Sequence, residues 1–163
     1  VQEAVLKWQV LKEKNKTIDL HFLGPLQSNK IKKVFGIFDY IHSLDRNSLA
    51  EKISNEVQRK GFCPKIFIQV NTGLEQQKAG IEPENLHEFI KTIRKSMSLN
   101  IVGLMCIPPQ NAYPEEHFIK LRDLGKNFNL PYLSMGMSED FEVALKCGAT
   151  HIRVGTKIFG ARS

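Results

Sequence analysis

Short apolar runs and longer amphipathic stretches take turns along the whole chain. Six runs read as strands: IDLHFLG (18–24), FDYIHSLD (38–45), KIFIQVN (65–71), NIVGLMCI (100–107), YLSMG (132–136) and HIRVG (151–155). KIFIQVN is almost wholly apolar, as a strand buried on both faces of a parallel sheet should be. The stretches between the runs carry helical spacing. Leu86, Phe89, Ile90, Ile93 and Met97 form one stripe, with Pro83 suited to the turn that starts it. Leu49, Ile53 and Val57 predict a helix over 46–60, and Phe118, Leu121 and Phe128 one over 115–128. A further helix is expected over 138–147, and a short one over 28–35 with Ser28 as its cap. Val1, Ala4, Val5, Trp8 and Leu11 open the chain on a helix.

Strict alternation of strand and helix implies a parallel sheet with right-handed crossovers. An open doubly wound sheet and part of a (β/α)₈ barrel both satisfy it. A complete barrel has eight strands in about 250 residues. Here 163 residues carry six strands, and the first element is a helix that should follow a strand. No linker interrupts the pattern, so a single domain over 1–163 is expected. In either architecture, ligands collect at the carboxyl ends of the strands.

The net charge of +6 and pI near 9.3 allow two readings. Lysines at Lys12, Lys14, Lys16 and at Lys30, Lys32, Lys33 either attract nucleic acid or a phosphorylated small molecule, or are solvated helix faces. No zinc spacing, helix-turn-helix or aromatic-interleaved strand accompanies them. No apolar run approaches a membrane span, and the charged first stretch is no signal peptide. Cys63, Cys106 and Cys147 are far apart and odd in number, which suits a reduced, cytoplasmic setting with the thiols as small core hydrophobes.

The candidate chemistry lies at the last two strand ends. LSMGMSED (133–140) runs from strand through glycine and serine into an acidic helix, and HIRVGTKIFGAR (151–162) repeats the arrangement. Ser138 is expected at the helix N-cap, with Gly155 and Thr156 offering the same arrangement one strand later. Such turns either bind a phosphate through backbone amides and hydroxyls, or simply cap helices. Arg153, on a buried strand, needs a partner, either a ligand acceptor or a carboxylate on a neighbouring strand. The histidines show no metal spacing; His21 and His42 fall in strands, at the mouth or in the core. There is no dinucleotide fingerprint and no Walker loop.

HFLGPLQSNK (21–30), FIQVNTGLEQQKAGI (67–81), GLMCIPP (103–109), LSMGMSEDFEVAL (133–145) and HIRVGTKIFGAR (151–162) resemble the pyridoxal phosphate homeostasis proteins, over essentially the whole chain and in the family's order. The resemblance implies the alanine racemase N-terminal barrel, here a partial (β/α)₈ TIM barrel with about six of eight βα units. It implies pyridoxal 5'-phosphate (PLP) as cofactor, with Ser138, Gly155 and Thr156 on its phosphate and Arg153 facing the pyridine nitrogen. An arginine there disfavours ring protonation, which suits a carrier and regulator of PLP better than a catalyst. Apo PLP-dependent enzymes are the implied recipients, with no nucleic acid or membrane partner.

The family's Schiff-base lysine belongs to a first barrel strand with no counterpart here, so the chain resembles a member without its first quarter. The strands at 18–24 and 151–155 would then be bare edges, which predicts self-association. Lys78, in the loop after the third run, is either a solvated lysine or one able to form an imine with a bound aldehyde. Two other functions stay open: a PLP-dependent amino-acid racemase, and a basic nucleic-acid or protein interaction module.

Overall fold

The computed structural model describes residues 2–15 and 17–160, the side chains of 2–6 excepted. Its strands are β1 (His21–Phe22), β2 (Tyr40–Leu44), β3 (Lys65–Gln69), β4 (Ile101–Met105), β5 (Tyr132–Met137) and β6 (His151–Arg153). The helices are α1 (Gln2–Lys14), α2 (Ile31–Val34), α3 (Asn47–Lys60), α4 (Leu86–Ser96), α5 (Pro114–Asn127), α6 (Phe141–Lys146) and α7 (Thr156–Phe159). Every predicted strand and helix is present. The stripe on α1 is described only from Trp8 onward: Trp8 packs against the core and Leu11 is exposed, while Val1, Ala4 and Val5 lie outside the described side chains.

Strand order decides between the two architectures. The sheet runs β1-β2-β3-β4-β5-β6, all parallel, with each strand beside its neighbour in sequence. A doubly wound sheet reverses direction at a switch point; this one never does, and it curls. The rings of His21 on β1 and His151 on β6 come within 5.7 Å across the concave side, although their strands are at opposite ends of the sheet. The fold is an arc of a (β/α)₈ barrel, with β1 and β6 as its edges among the described residues.

The two faces of the sheet differ. On the helix side, Ile41, Ile66, Ile68 and Leu104 are fully buried against Leu49 and Ile53 of α3, Leu86 and Ile93 of α4, and Phe118 and Leu121 of α5. Each such side chain contributes roughly 1.5–3 kcal/mol by leaving water. The concave side holds Phe67, buried but apart from that cluster, among histidines and tyrosines. Gly103 lets the strands close there: a Cβ would stand 2.0 Å from the Tyr132 carbonyl oxygen and 2.8 Å from the Phe67 ring.

Ser28 is not a helix cap. It is the first residue of a 3-10 turn, Ser28–Lys30, that leads into α2 and starts after Gln27 with no side-chain cap. The first strand also shrinks to two residues. Asp39 explains where it begins: its carboxylate takes the Leu20 N–H at 2.8 Å and the Lys12 ammonium at 2.5 Å, tying α1 to the start of β1 and β2. No helix among the described residues is long and apolar enough to cross a membrane.

Candidate cofactor site at the strand ends

The turn after β5 is built around Gly136. Its φ of +89° belongs to the left-handed region, and a Cβ there would lie 2.5 Å from the Ala144 Cβ. Glycine thus lets α6 sit directly on the strand end. Ser138 does not cap α6, contrary to the sequence expectation. The helix starts at Phe141 after Asp140, because Asp140 Oδ1 takes the Met137 N–H at 2.6 Å and holds Ser138 in a turn. Ser138 Oγ instead accepts the Gly155 N–H at 3.3 Å. The two small-residue turns are therefore joined to each other. Gly155 and Thr156 are exposed, and a Cβ at Gly155 would meet nothing within 4 Å.

Arg153 lies beneath these turns, at the end of β6. Its Nη1 donates to the carbonyl and the hydroxyl of Ser134, both at 2.9 Å, and Nη2 donates to the Cys106 carbonyl at 2.8 Å. Among the described residues no carboxylate comes within ion-pair distance of it. Burial pushes its pKa below the usual guanidinium range. Nε–H and one Nη2–H have no described partner. The arginine is thus a positive group fixed by neutral acceptors, with donors to spare.

Lys78 is tethered on the rim. Its Nζ lies 2.7 Å from Glu75 Oε2, an ion pair by distance without hydrogen-bond alignment, and donates to the Pro108 carbonyl at 3.2 Å. Two surface cavities, of about 540 and 570 Å³, lie around the ends of α4 and α5 and the loop into β5, and contain none of these residues.

All 163 residues match the family model described as alanine racemase, N-terminal domain. The chain is 43% identical over 171 residues to the pyridoxal phosphate homeostasis protein of Aquifex aeolicus, covering 99% of this chain and 74% of that one. It is 37% identical over 174 residues to the protein of the same name in Escherichia coli K12, covering 99% and 73%. The chain belongs to the pyridoxal phosphate homeostasis protein family. Among solved structures, PipY of Synechococcus elongatus with PLP bound is similar at a TM-score of 0.84 and 35% identity, covering 98% of this chain and 78% of that one. A Clostridium difficile alanine racemase, 14% identical at a TM-score of 0.69 and covering 96% of this chain and 43% of that one, shares the fold.

In this family member the strand-end residues found from sequence fall into two groups. Ser138 and Gly155 are bonded to each other, with Arg153 two residues before Gly155 and Thr156 immediately after it. Lys78 is engaged by the loops after β3 and β4 instead. Sequence reading left His21 and His42 unassigned and overlooked Ser134. Ser134 is fully buried and bonds both Arg153 and His42. Burial, aided by His21, His151 and Arg153, pushes the His42 pKa down to about 3. Those residues looked like ordinary strand positions because the alternation that marks inward-facing residues is hidden when both faces of a strand are buried.

Proposed function

We propose that this chain binds PLP at the carboxyl ends of β5 and β6 and serves intracellular PLP homeostasis as a carrier or regulator. The observation that carries this is Arg153: a partly buried cation with no carboxylate partner and with spare donors among the described residues, and the joined Ser138–Gly155 turn above it. The residues present fit the coenzyme. The Ser138 and Thr156 hydroxyls flank open space at Gly155, a donor set for a phosphate that the Gly155 amide would join on leaving Ser138 Oγ. Arg153 offers N–H groups to a pyridine nitrogen, which can accept only while unprotonated. Bound PLP supplies an aldehyde and an electron-withdrawing ring; an unprotonated ring withdraws weakly. The PLP-bound PipY structure, 35% identical over nearly all of this chain, supports the same ligand.

Racemisation needs two opposed proton-transfer groups, whereas the groups bonded to Arg153 are a hydroxyl and two carbonyls. Carriage is therefore the reading taken. Lys78 enters it as a rim lysine that could meet the aldehyde only after release from Glu75. Recipient apo-enzymes, a cytoplasmic setting for the three free thiols, and self-association through the edges of β1 and β6 complete the proposal. The test is an absorbance titration with PLP and, in parallel, with pyridoxal lacking the phosphate. Saturable PLP binding, lost on removing the phosphate and weakened by Thr156→Val, is expected. Equal binding of both compounds, or binding indifferent to Thr156 and Arg153, would overturn the reading. Sedimentation as a stable monomer would remove the self-association.

A further inference from the structure

The concave side of the sheet holds a hydrogen-bond chain below the strand-end site. Arg153 Nη1 lies 2.9 Å from Ser134 Oγ, which lies 2.9 Å from His42 Nδ1; His42 Nε2 lies 2.9 Å from His21 Nδ1. Ser134 and His42 are 0% and 1% exposed, so water does not compete for these bonds. Aromatic stacking holds both rings: His42 on Phe67 at 4.1 Å, and His21 on Tyr40 at 4.0 Å.

The direction of the chain follows from valence. A guanidinium only donates, so Ser134 Oγ accepts from Arg153. The hydroxyl has one proton, and His42 Nδ1 is its one acceptor among the described residues. His42 Nδ1 is therefore unprotonated, and His42 Nε2–H donates to His21 Nδ1. Both rings are then neutral Nε2–H tautomers. The opposite order would leave the buried Ser134 proton with no acceptor, a costly orphan. A second proton on His42 would place like charges two hydrogen bonds apart.

We propose that Ser134 and His42 are positioning residues for Arg153, locking its guanidinium plane through a one-way chain Arg153→Ser134→His42→His21. Its purpose rests on the PLP reading; its geometry does not. By holding the Ser134 hydroxyl proton, His42 keeps the serine lone pair aimed at Nη1. Loss of that acceptor lets the hydroxyl turn its proton toward the cation, and the guanidinium loses a fixed anchor.

Two substitutions at one position separate positioning from packing. His42→Phe keeps the stack on Phe67 and removes the acceptor. His42→Asn loses the stack but places an amide oxygen near the Nδ1 position. Nitrogen NMR of the unloaded protein should show unprotonated Nδ1 and protonated Nε2 in His21 and His42. An Nδ1–H tautomer in either ring overturns the proposal. Rotation about the Arg153 Nε–Cζ bond, measured by NMR without PLP, should speed up about tenfold in His42→Phe and little in His42→Asn. PLP affinity of the folded variants should follow the same order. If Phe behaves like the parent and Asn does not, packing alone is at work and the proposal fails. Ser134→Ala, a smaller change, should free Arg153 as His42→Phe does; an unchanged rotation rate there also overturns it. Failure of the parent chain to take up PLP would sink the function proposed above, while tautomers and rotation still judge the chain of bonds.

Discussion

The same six strands carry two opposite chemistries. Their helix-facing residues are mostly aliphatic, and the central ones join the buried cluster; Ile66, Ile68 and Leu104 are fully buried. Their concave side sets His21, His42, Ser134 and Arg153, each with a directed polar partner, beside the apolar ring of Phe67. The outer layer supplies most of the free energy and tolerates exchange of one apolar shape for another. The inner layer supplies orientation, because each of its groups is useful only in one geometry. Apolar burial and directed polar bonding are thus separated by a shift of one residue along the strand.

The strongest way to break the outer layer is Phe118→Ala. Phe118 is fully buried, so loss of about 3–5 kcal/mol is expected in denaturant unfolding, with PLP affinity of the folded fraction unchanged. A coupled loss of affinity would show that the layers are not independent.

Acid attacks the inner layer selectively. The pKa values of His21, His42 and His151 are all lowered, mainly by burial, that of His42 from 6.5 to about 3. As pH falls below 6.5 the unfolded chain takes up protons that the folded chain refuses. Stability should be full above that value and drain away toward pH 3, with about 2–4 kcal/mol of the loss due to His42. Unfolding curves across this window should become shallower with pH in His42→Phe. An unchanged slope would mean that His42 is not held neutral.

Arg153→Leu should weaken PLP binding about 10- to 100-fold, the worth of a charge-assisted hydrogen bond, while the absorbance of any residual complex reports a changed ring environment. Ser43→Ala is the smallest change and should have the opposite sign. The Ser43 hydroxyl is buried at 1% exposure without a described partner, where β2 shifts register. Removing it should leave stability equal or up to about 1 kcal/mol higher in the same unfolding experiment. A clear loss would reveal a bond that Ser43 makes in solution.

The outer layer was the legible one. Leu86, Phe89, Ile90 and Ile93 form the face of α4 that their spacing predicted, because burial on one side leaves a period of about 3.6 in the sequence. The strand-end turns were legible as small-residue motifs, but their roles were not. Ser138 and Asp140 both precede α6 and both can cap; only the bond from Met137 to Asp140 decides between them. Ser28 misled for the same reason, since a serine before an apolar run also suits a 3-10 turn. The bonds that link His21, His42, Ser134 and Arg153 span β1, β2, β5 and β6, and no local pattern encodes distances between elements so far apart in sequence.

The unbroken strand order has a consequence for biosynthesis. Since each strand pairs with the one made just before it, a ribosome delivers every new strand onto an edge that already exists. No described strand has to wait for a distant strand to pair with, so pairing of the sheet can advance with translation, while the bond from His42 to Ser134 forms only once β5 is made. Stalled nascent chains released after β3 should already protect amides in β1 and β2 from solvent exchange.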